Sequence, residues 1–244
     1  MEKIEELFEK IKKSEDSAAI NDFLIELGNE PHKYYLNYLE YFLKNFKPST
    51  LKNIKINIIY VLGQIGKYKN VNDTYIEYLY QEYFNSDRWI RNEIIKALDL
   101  IAFNIKLPEK VIRIVENALV DEYLPIRVNI LSVVLHFDSL PKSLMKNLIG
   151  ILSYSDSKLL DSCAIVFKKF ITSDNQLFEI LSYESNYMNM DKHSIRRLLI
   201  IFFKSIFDLE NFRKLIINSN WNNLGKEQIL KELYTFEQIL IKNL

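Results

Sequence analysis

The sequence is poor in the residues that punctuate β structure and in those that build catalytic and metal sites. Its 244 residues include only 5 Gly, 5 Pro, 1 Cys and 3 His. So few turn-forming residues argue against an all-β sandwich or barrel, whereas helix-compatible Leu, Ile, Lys and Glu are plentiful. The single cysteine, Cys163, excludes an intrachain disulfide and is typical of a reducing compartment. These absences favour an all-α protein.

An excess of charge of one sign and a long hydrophobic run are also absent. The chain has 32 basic and 32 acidic residues, so it lacks the basic excess that a phosphate backbone calls for. Its longest apolar run, 198–203, is six residues, against the roughly 20 needed to span a bilayer. The charged, amphipathic start is unlike a signal peptide, and neither end carries a lipidation motif. We expect a cytoplasmic protein with no membrane segment, and nucleic acid is not the expected partner.

What the sequence does contain is an internal repeat. Short segments align at a spacing of 34 to 36 residues, and in the best of them apolar residues follow the anchor at offsets of 4, 5, 7, 8 and 11. The anchors are Ala19, Ile54, Ile90, Ile126, Leu160, Ile195 and Ile229. These offsets trace one broad helical face. A unit of this length cannot bury that face alone, so neighbouring units must stack and share a core.

Each anchored helix from Ile54 onward is preceded by a second helical segment. The segments are 34–46, 73–84, 108–120, 141–153, 175–187 and 209–218. Pro108 and Pro141 begin successive segments, where a missing N–H is tolerated, and they mark the same joint of the repeat. Four aspartates stand three or four residues before an anchor, where a carboxylate can cap the amides of the second helix: Asp16, Asp87, Asp156 and Asp191. The sequence therefore predicts paired helices with capped second members.

The order of features in each unit resembles a HEAT repeat. A turn aspartate comes first, then an aliphatic–basic pair, and then an apolar helix. Residues 86–91, Ser-Asp-Arg-Trp-Ile-Arg, show the pattern best, and Ala97 and Leu98 follow them. The resemblance covers nearly the whole chain. It implies an all-α, right-handed α-solenoid of the armadillo type, with about six to seven HEAT-like hairpins in a single repeat domain over 1–244.

The same resemblance implies a ladder that holds the register of adjacent units. In such repeats the turn Asp of one unit and the Arg after the anchor of another form ion pairs. The residues of this chain that match those positions are Asp87, Arg91, Arg127, Asp191 and Arg196. Partly solvated pairs of this kind contribute about 0.2–1 kcal/mol each, so apolar stacking must carry the stability.

No group of side chains forms a catalytic or metal-binding motif. His32, His136 and His193 lie in different units without metal-ligand spacing, and Cys163 is expected to be a small buried or half-buried thiol. There is no Gly-rich phosphate loop, no Gly-x-Ser-x-Gly elbow and no His-Glu-x-x-His. We expect no enzymatic activity, no cofactor and no metal.

Tyrosine is concentrated on two of the leading segments, 34–46 and 73–84. The charges between Tyr75 and Tyr83 are Glu77 and Glu82, so stacking on nucleic-acid bases is not favoured. The rings are expected to seal the interface between helices with their hydroxyls toward water. A protein partner could also use them.

The outward positions of the second helices, at offsets 3, 6 and 10, are expected to line the concave face of the stack. They are mostly polar in the early units and turn apolar from the Leu160 unit onward. The residues assigned to partner binding are Tyr60, Lys96, Ser132, Val166, Phe170, Leu198 and Ile201.

The segment 195–207 is hydrophobic nearly all round and must be covered on more than one side. Either the chain's own end, through Trp221 and 225–244, covers it, or another chain fills a groove rimmed by Arg197 and Lys204.

The leading hypothesis is a non-catalytic HEAT-like scaffold or adaptor that binds a protein partner along its concave face. An alternative is a HEAT-like DNA-binding protein, or an enzyme similar to the alkylpurine DNA glycosylases. Trp89 and Trp221 fit that alternative, but Lys96 is the one basic residue among the outward positions. A third similarity, to repeat proteins of the phycobilin-lyase type, has no residue here that supports chromophore handling.

Overall fold

The computed structural model describes residues 2–14, 16–203 and 208–242, and in these ranges the secondary structure is helical, without a β-strand. The α-helices are α1 (Glu2–Ile11), α2 (Ser17–Asn29), α3 (Leu36–Asn45), α4 (Pro48–Gly66), α5 (Asp73–Asn85), α6 (Arg88–Ile101), α7 (Val111–Leu119), α8 (Leu124–Val134), α9 (Met145–Ile151), α10 (Ser157–Phe170), α11 (Asp174–Ser182), α12 (Lys192–Phe203), α13 (Leu209–Ile217) and α14 (Asn223–Lys242). Short 3-10 segments lie at Lys33–Tyr35, Lys142–Leu144 and Tyr183–Asn189. The prediction of an all-α protein is confirmed.

The helices alternate in role along the chain, as the repeat predicts. Every anchor lies in an even-numbered helix, and each predicted leading segment overlaps an odd-numbered helix. Consecutive even-numbered helices pack on one another, α2 on α4 and α4 on α6, and later α8 on α10, α10 on α12 and α12 on α14. This sequential packing is compatible with a helical repeat. The right-handed arrangement and the number of repeats stay predictions.

The packing divides the chain into two compact units, Met1–Ile114 and Val115–Leu244. We call them the N-terminal unit and the C-terminal unit and describe each by itself. The expectation of one repeat domain over 1–244 stays a prediction.

In the N-terminal unit, glycines allow the second helices to approach closely. A Cβ on Gly63 of α4 would lie 2.8 Å from the Cα of Ala97 on α6, and a Cβ on Gly28 of α2 would overlap the ring of Tyr60. Asn57 Nδ2 also donates to Asn21 Oδ1 at 2.8 Å, and so joins α4 to α2 across a spacing of one repeat. Small residues and an amide bridge together fix the contact between consecutive second helices.

In the C-terminal unit, side chains of one second helix reach the carbonyl groups at the end of an earlier helix. Arg197 of α12 donates to the carbonyls of Leu152 and Tyr154 at 2.5 and 2.6 Å, just beyond the end of α9. Lys169 of α10 donates in the same way to the carbonyl of Leu135 after α8. The last carbonyls of a helix lack intrahelical partners, so these contacts satisfy them and also tie the repeats together.

The four predicted aspartate caps are confirmed. The carboxylates of Asp16, Asp87, Asp156 and Asp191 accept from backbone amides in the first turns of α2, α6, α10 and α12. Hydrogen bonds from the hydroxyl and the amide of Ser194 lower the pKa of Asp191. The structure adds Asp208, which caps α13 in the same way.

The two prolines stand just before their helical segments and not inside the first turn. The carbonyl of Pro108 accepts from the amide of Val111 at 2.9 Å, and the carbonyl of Pro141 accepts from the amide of Leu144 at 3.1 Å. Both residues therefore close the same kind of turn, which supports the prediction that they are equivalent joints.

Candidate protein-binding surface

The outward positions of the N-terminal unit are polar and locally satisfied. Tyr60 is half-buried, because its ring packs against Gly28. Lys96 is exposed, but its Nζ lies 3.1 Å from Glu93 Oε2 on the same helix. The one basic residue of the predicted outward set is thus paired with an acid, which removes part of the basis for the DNA-binding alternative.

In the C-terminal unit, two of the residues assigned to partner binding are core residues. Ser132 is exposed, and Phe170 and Ile201 are half-buried. Val166 and Leu198, however, are buried among the hydrophobic residues of this unit. The expectation that these two side chains point outward is wrong. The expected change from polar to apolar outward positions, from the Leu160 unit onward, depended on them and is therefore wrong as well.

Val166 is buried because the buried face of α10 is displaced by one residue from the face that the sequence predicted. Leu159, Cys163, Val166 and Phe167 are buried, whereas Lys168 is exposed. Counted from Leu159, the buried residues fall at offsets 4, 7 and 8, as in the earlier units. The anchor of this helix is therefore Leu159 and not Leu160, and the misplaced Lys168 was the sequence signal that could have shown it.

The buried face of α12 is rotated in a similar way. Leu198, Leu199 and Phe202 are buried, but Ile200 is exposed. The chain's own C-terminal helices supply part of the cover, because α14 packs on α12 and Phe203 lies 5.1 Å from Phe212 of α13, ring centroid to centroid. Lys204 and the rest of 204–207, which the sequence assigned to the rim and end of this helix, lie outside the described residues.

Trp221 packs elsewhere than on α12. Its ring stacks between Phe178 and Tyr187, with centroids 5.1 and 4.3 Å away. The indole Nε1 donates to the hydroxyl of Ser182 at 2.8 Å. Trp221 therefore anchors the segment before α14 to α11 and the turn that follows it, and it is not available as an exposed aromatic for a nucleic acid.

The rotation leaves a row of exposed apolar side chains on α10, α12 and α14, which we call the apolar row. Its members are Ile165, Ile200 and Tyr234, and they are 55%, 54% and 61% exposed. They are separated by 35 and 34 residues, the spacing of the repeat. Counted from the anchors that the sequence suggested, the three members lie at offset 5, and in the N-terminal unit that offset falls on the fully buried Leu24, Ile59 and Ile95. Counted from the corrected anchor Leu159, Ile165 lies at offset 6, so the members share the spacing of the repeat and not one offset. The repeat as such does not require exposure at this position.

Charged residues stand one helical turn before each member of the apolar row. They are Asp161 on α10, Arg196 on α12 and Lys231 on α14. Residues three and four apart share one face of a helix, so these charges border the row on one side. Asp161 and Lys231 are exposed, so charges of both signs accompany the exposed apolar side chains of the row.

The residues of the predicted ladder contact partners of several kinds. Asp87 and Asp191 cap their own helices, and Arg91 donates to the carbonyl of Ser86 at 3.2 Å. The guanidinium of Arg127 lies 4.2 Å from the ring centroid of Tyr154, and Arg196 pairs with Glu232 at 2.6 Å. The resemblance implied a turn aspartate as the partner of each of these arginines. The partner of Arg127 is instead an aromatic ring, and the partner of Arg196 is a carboxylate within a helix.

The cysteine and histidine that were considered for catalysis or metal binding make contacts within the fold. Cys163 is buried, its thiol donates to the carbonyl of Leu148 at 3.6 Å, and burial raises the pKa of that thiol. His32 accepts from the amide of Tyr34 through Nδ1. Within the described residues, no group of three or more His, Cys, Asp or Glu side chains is placed to hold a metal ion. A thiol with a raised pKa is a poor nucleophile at neutral pH, because little thiolate forms.

In the part of the chain that the structure describes, every helix is too short or too polar to cross a bilayer.

Comparisons with known proteins add a likeness of fold. No protein-family profile and no curated protein matches the chain. It is similar to an engineered protein whose crystal structure was determined by the Northeast Structural Genomics Consortium, with a TM-score of 0.59 and 16% sequence identity over 96% of this chain and 98% of that chain. At this identity the likeness shows the fold alone, so membership of the HEAT family stays a prediction.

Proposed function

We propose that this chain is a non-catalytic, HEAT-like scaffold that binds a protein partner through the apolar row of α10, α12 and α14. The observation that carries the proposal is the exposure of Ile165, Ile200 and Tyr234 at separations of 35 and 34 residues, which match the spacing of the repeat. Large apolar side chains that remain in water are a common mark of an interaction site, because they gain free energy when a partner removes them from water.

The composition of the row fits a protein interface. Two aliphatic side chains and a tyrosine supply apolar area at low conformational cost, and tyrosine is enriched at the residues that dominate binding energy. Asp161 and Lys231 provide a margin of both signs. Charges at a rim select a complementary partner and its orientation more than they add affinity. The fitting partner is an amphipathic helix with an apolar stripe and charged flanks.

Two of the helices that carry the row, α12 and α14, are held in place before any partner binds. Arg196 and Glu232 join α12 to α14 at 2.6 Å, and Arg197 joins α12 to the carbonyls after α9. A surface that is already ordered loses little conformational entropy on binding, so more of the contact energy appears as affinity.

A matched pair of substitutions tests the proposal. Ile200 lies in the apolar row and Ile217 lies on α13 of the same unit, and both are 54% exposed. We expect proteins cross-linked to the wild-type chain in its native cells to be retained by Ile217→Ser and lost from Ile200→Ser. Circular dichroism and the melting temperature should be the same for both variants.

Equal capture by the two variants would contradict the proposal. If both serine variants retain the same cross-linked proteins at the same yield, the row is not the binding surface. Ile165→Ser and Tyr234→Ser extend the test to the other two members, and each is expected to weaken capture in the same direction as Ile200→Ser.

A further inference from the structure

The N-terminal unit contains a cleft of about 430 Å³ between α3, the start of α4 and α5. Its lining includes Glu40, Leu43, Lys44, Leu51, Tyr75 and Tyr78, and we call the site the tyrosine cleft. Its size lies in the range of about 300–1,000 Å³ that is typical of ligand sites. The cleft belongs to a different unit from the apolar row, so it is a separate site.

The walls of the tyrosine cleft are apolar and aromatic. Leu43, Leu51 and Tyr78 are half-buried, so each is shielded on one side and open on the other. The hydroxyl of Tyr75 donates to the carbonyl of Leu36 at 2.8 Å, which fixes the orientation of its ring. An aliphatic chain could lie along these walls with its carbon atoms removed from water.

The charged groups of the cleft are the Glu40 carboxylate and the Lys44 ammonium, and Glu40 is the one that acts on Tyr75. Burial, together with the nearby Glu40 carboxylate, raises the pKa of Tyr75 to about 12. The Tyr75 hydroxyl is therefore neutral at physiological pH and contributes no opposing charge. Burial and Glu82 likewise raise the pKa of Tyr78. The cleft thus combines neutral phenol rings with the ion pair of Glu40 and Lys44.

Glu40 is held only by a weak intrahelical contact. Its Oε1 lies 2.5 Å from Lys44 Nζ at i, i+4 spacing, and the two side chains are 52% and 70% exposed. Exposed pairs of this kind contribute little stability, since water competes for both charges. A second cation that also gains apolar contact in the cleft would compete with Lys44 for Glu40.

We propose that the tyrosine cleft binds a lysine or arginine side chain presented by a partner polypeptide. The aliphatic stem of that side chain lies along Leu43 and Leu51, and its charged end meets Glu40. The faces of tyrosine rings attract cations, and amphipathic cationic side chains can bury their stems while the charge stays near water. An acidic side chain in the same place would be repelled by Glu40, the charged group of the lining that acts on Tyr75.

Two peptides that differ at one position provide the first test. The probes are N-acetylated, C-terminally amidated pentapeptides with a central arginine or glutamine between leucines, titrated into the full chain by calorimetry and by amide NMR. The arginine peptide is expected to bind at least tenfold more tightly, with shifts at Leu43, Leu51 and Tyr78. Equal affinity of the two peptides would overturn the proposal.

Substitutions in the protein provide the second test, with opposite signs at neighbouring residues. Glu40→Gln should weaken binding of the arginine peptide at least tenfold, whereas Lys44→Ala should tighten it severalfold because a competitor is removed. Glu26→Gln, at an exposed position on α2, is the matched control and should change nothing. If Lys44→Ala weakens binding instead, Glu40 is not the group that meets the cation.

The source of the cation is distinguished by a third titration. N-acetyl-arginine amide carries the same side chain without neighbouring residues and is expected to bind much more weakly than the pentapeptide. Equal affinity of the two would show that the cleft takes a small cation and would overturn the assignment to a partner polypeptide.

Discussion

Nε of Arg196 on α12 donates to Oε2 of Glu232 on α14 across 2.6 Å, and the Glu232 side chain is only 6% exposed. The two residues are 36 positions apart in the sequence, which is one repeat. A carboxylate shielded from water is costly unless it is paired, so this contact is specific for the observed arrangement of α12 and α14.

Removal of Arg196 is therefore expected to destabilise the protein. Arg196→Ala leaves the shielded Glu232 with Lys192, whose Nζ is 3.9 Å from its other oxygen. We expect a loss of about 1–3 kcal/mol in the free energy of unfolding, measured by urea denaturation, because the carboxylate loses its charged donor.

A surface pair on the adjacent helix serves as the control for that measurement. Lys214 and Glu210 on α13 are also 3.9 Å apart, but both are well exposed. Lys214→Ala should cost less than about 0.5 kcal/mol, as for other exposed pairs. Equal losses for the two alanine variants would show that burial of Glu232 does not matter.

Neighbouring residues of α10 test the corrected helix frame. Val166 is fully buried and Ile165 is 55% exposed. Val166→Asp places a charge in the core and should lower the free energy of unfolding by at least about 3 kcal/mol or prevent folding. Ile165→Asp should change it by less than about 1 kcal/mol. Thermal melts of both variants test this helix frame. If Ile165→Asp destabilises the protein more than Val166→Asp does, the anchor of α10 is Leu160.

Two glycines are expected to respond in opposite directions to alanine. A Cβ on Gly63 would meet the backbone of α6 at Ala97 Cα, whereas a Cβ on Gly150 of α9 meets no atom within 4 Å. Gly63→Ala should destabilise by about 1–3 kcal/mol through overpacking. Gly150→Ala should stabilise by about 0.5–1 kcal/mol, because alanine loses less backbone entropy in a helix. Stabilisation by both would contradict the close contact of α4 and α6.

The cap at Asp191 predicts a dependence of stability on pH. Its pKa is lowered in the folded state, chiefly by hydrogen bonds from the hydroxyl and amide of Ser194. The stabilisation is therefore present above the unfolded-state pKa of about 3.9 and is lost as the pH falls through the lower folded-state pKa. Asparagine also caps helices but does not titrate.

Asp191→Asn is thus expected to be less stable than the wild type at pH 7 and to approach it as the pH falls below about 3.9. Urea unfolding at a series of pH values measures the difference. Ser194→Ala should show a smaller change with pH, because one of the hydrogen bonds to the carboxylate is removed. A difference that stays constant with pH would mean that the carboxylate does not titrate in this range.

The features predicted correctly from the sequence are those with short-range causes. Asp87 caps α6 because its carboxylate reaches the amides of Trp89 and Ile90, two and three residues ahead. The leading segment 73–84 and helix α5 (Asp73–Asn85) agree to one residue, since Asn72 caps its start. Contacts within one helical turn depend on local spacing, so they can be read from the chain.

The binding surface was harder to predict, because it depends on how each helix is rotated about its axis. In α12, apolar residues occur on nearly every side, so the sequence does not distinguish Leu198, which is buried, from Ile200, which is exposed. In α10 the exposed Lys168 did carry the information. The tyrosine cleft has no local signal, since its lining comes from α3, α4 and α5 together.

By itself, the sequence determined that this protein is all-α, where its paired helices lie and how four of them are capped, because hydrogen bonding and amphipathic spacing act over a few residues. Tertiary structure alone decided which apolar side chains remain in water. Arg196, Arg197 and Glu232 set the position of α12 against its neighbours, and burial of Val166 and Leu198 leaves Ile165, Ile200 and Tyr234 outside. Such contacts join residues about one repeat or more apart, and their free energy exists only once the helices are packed.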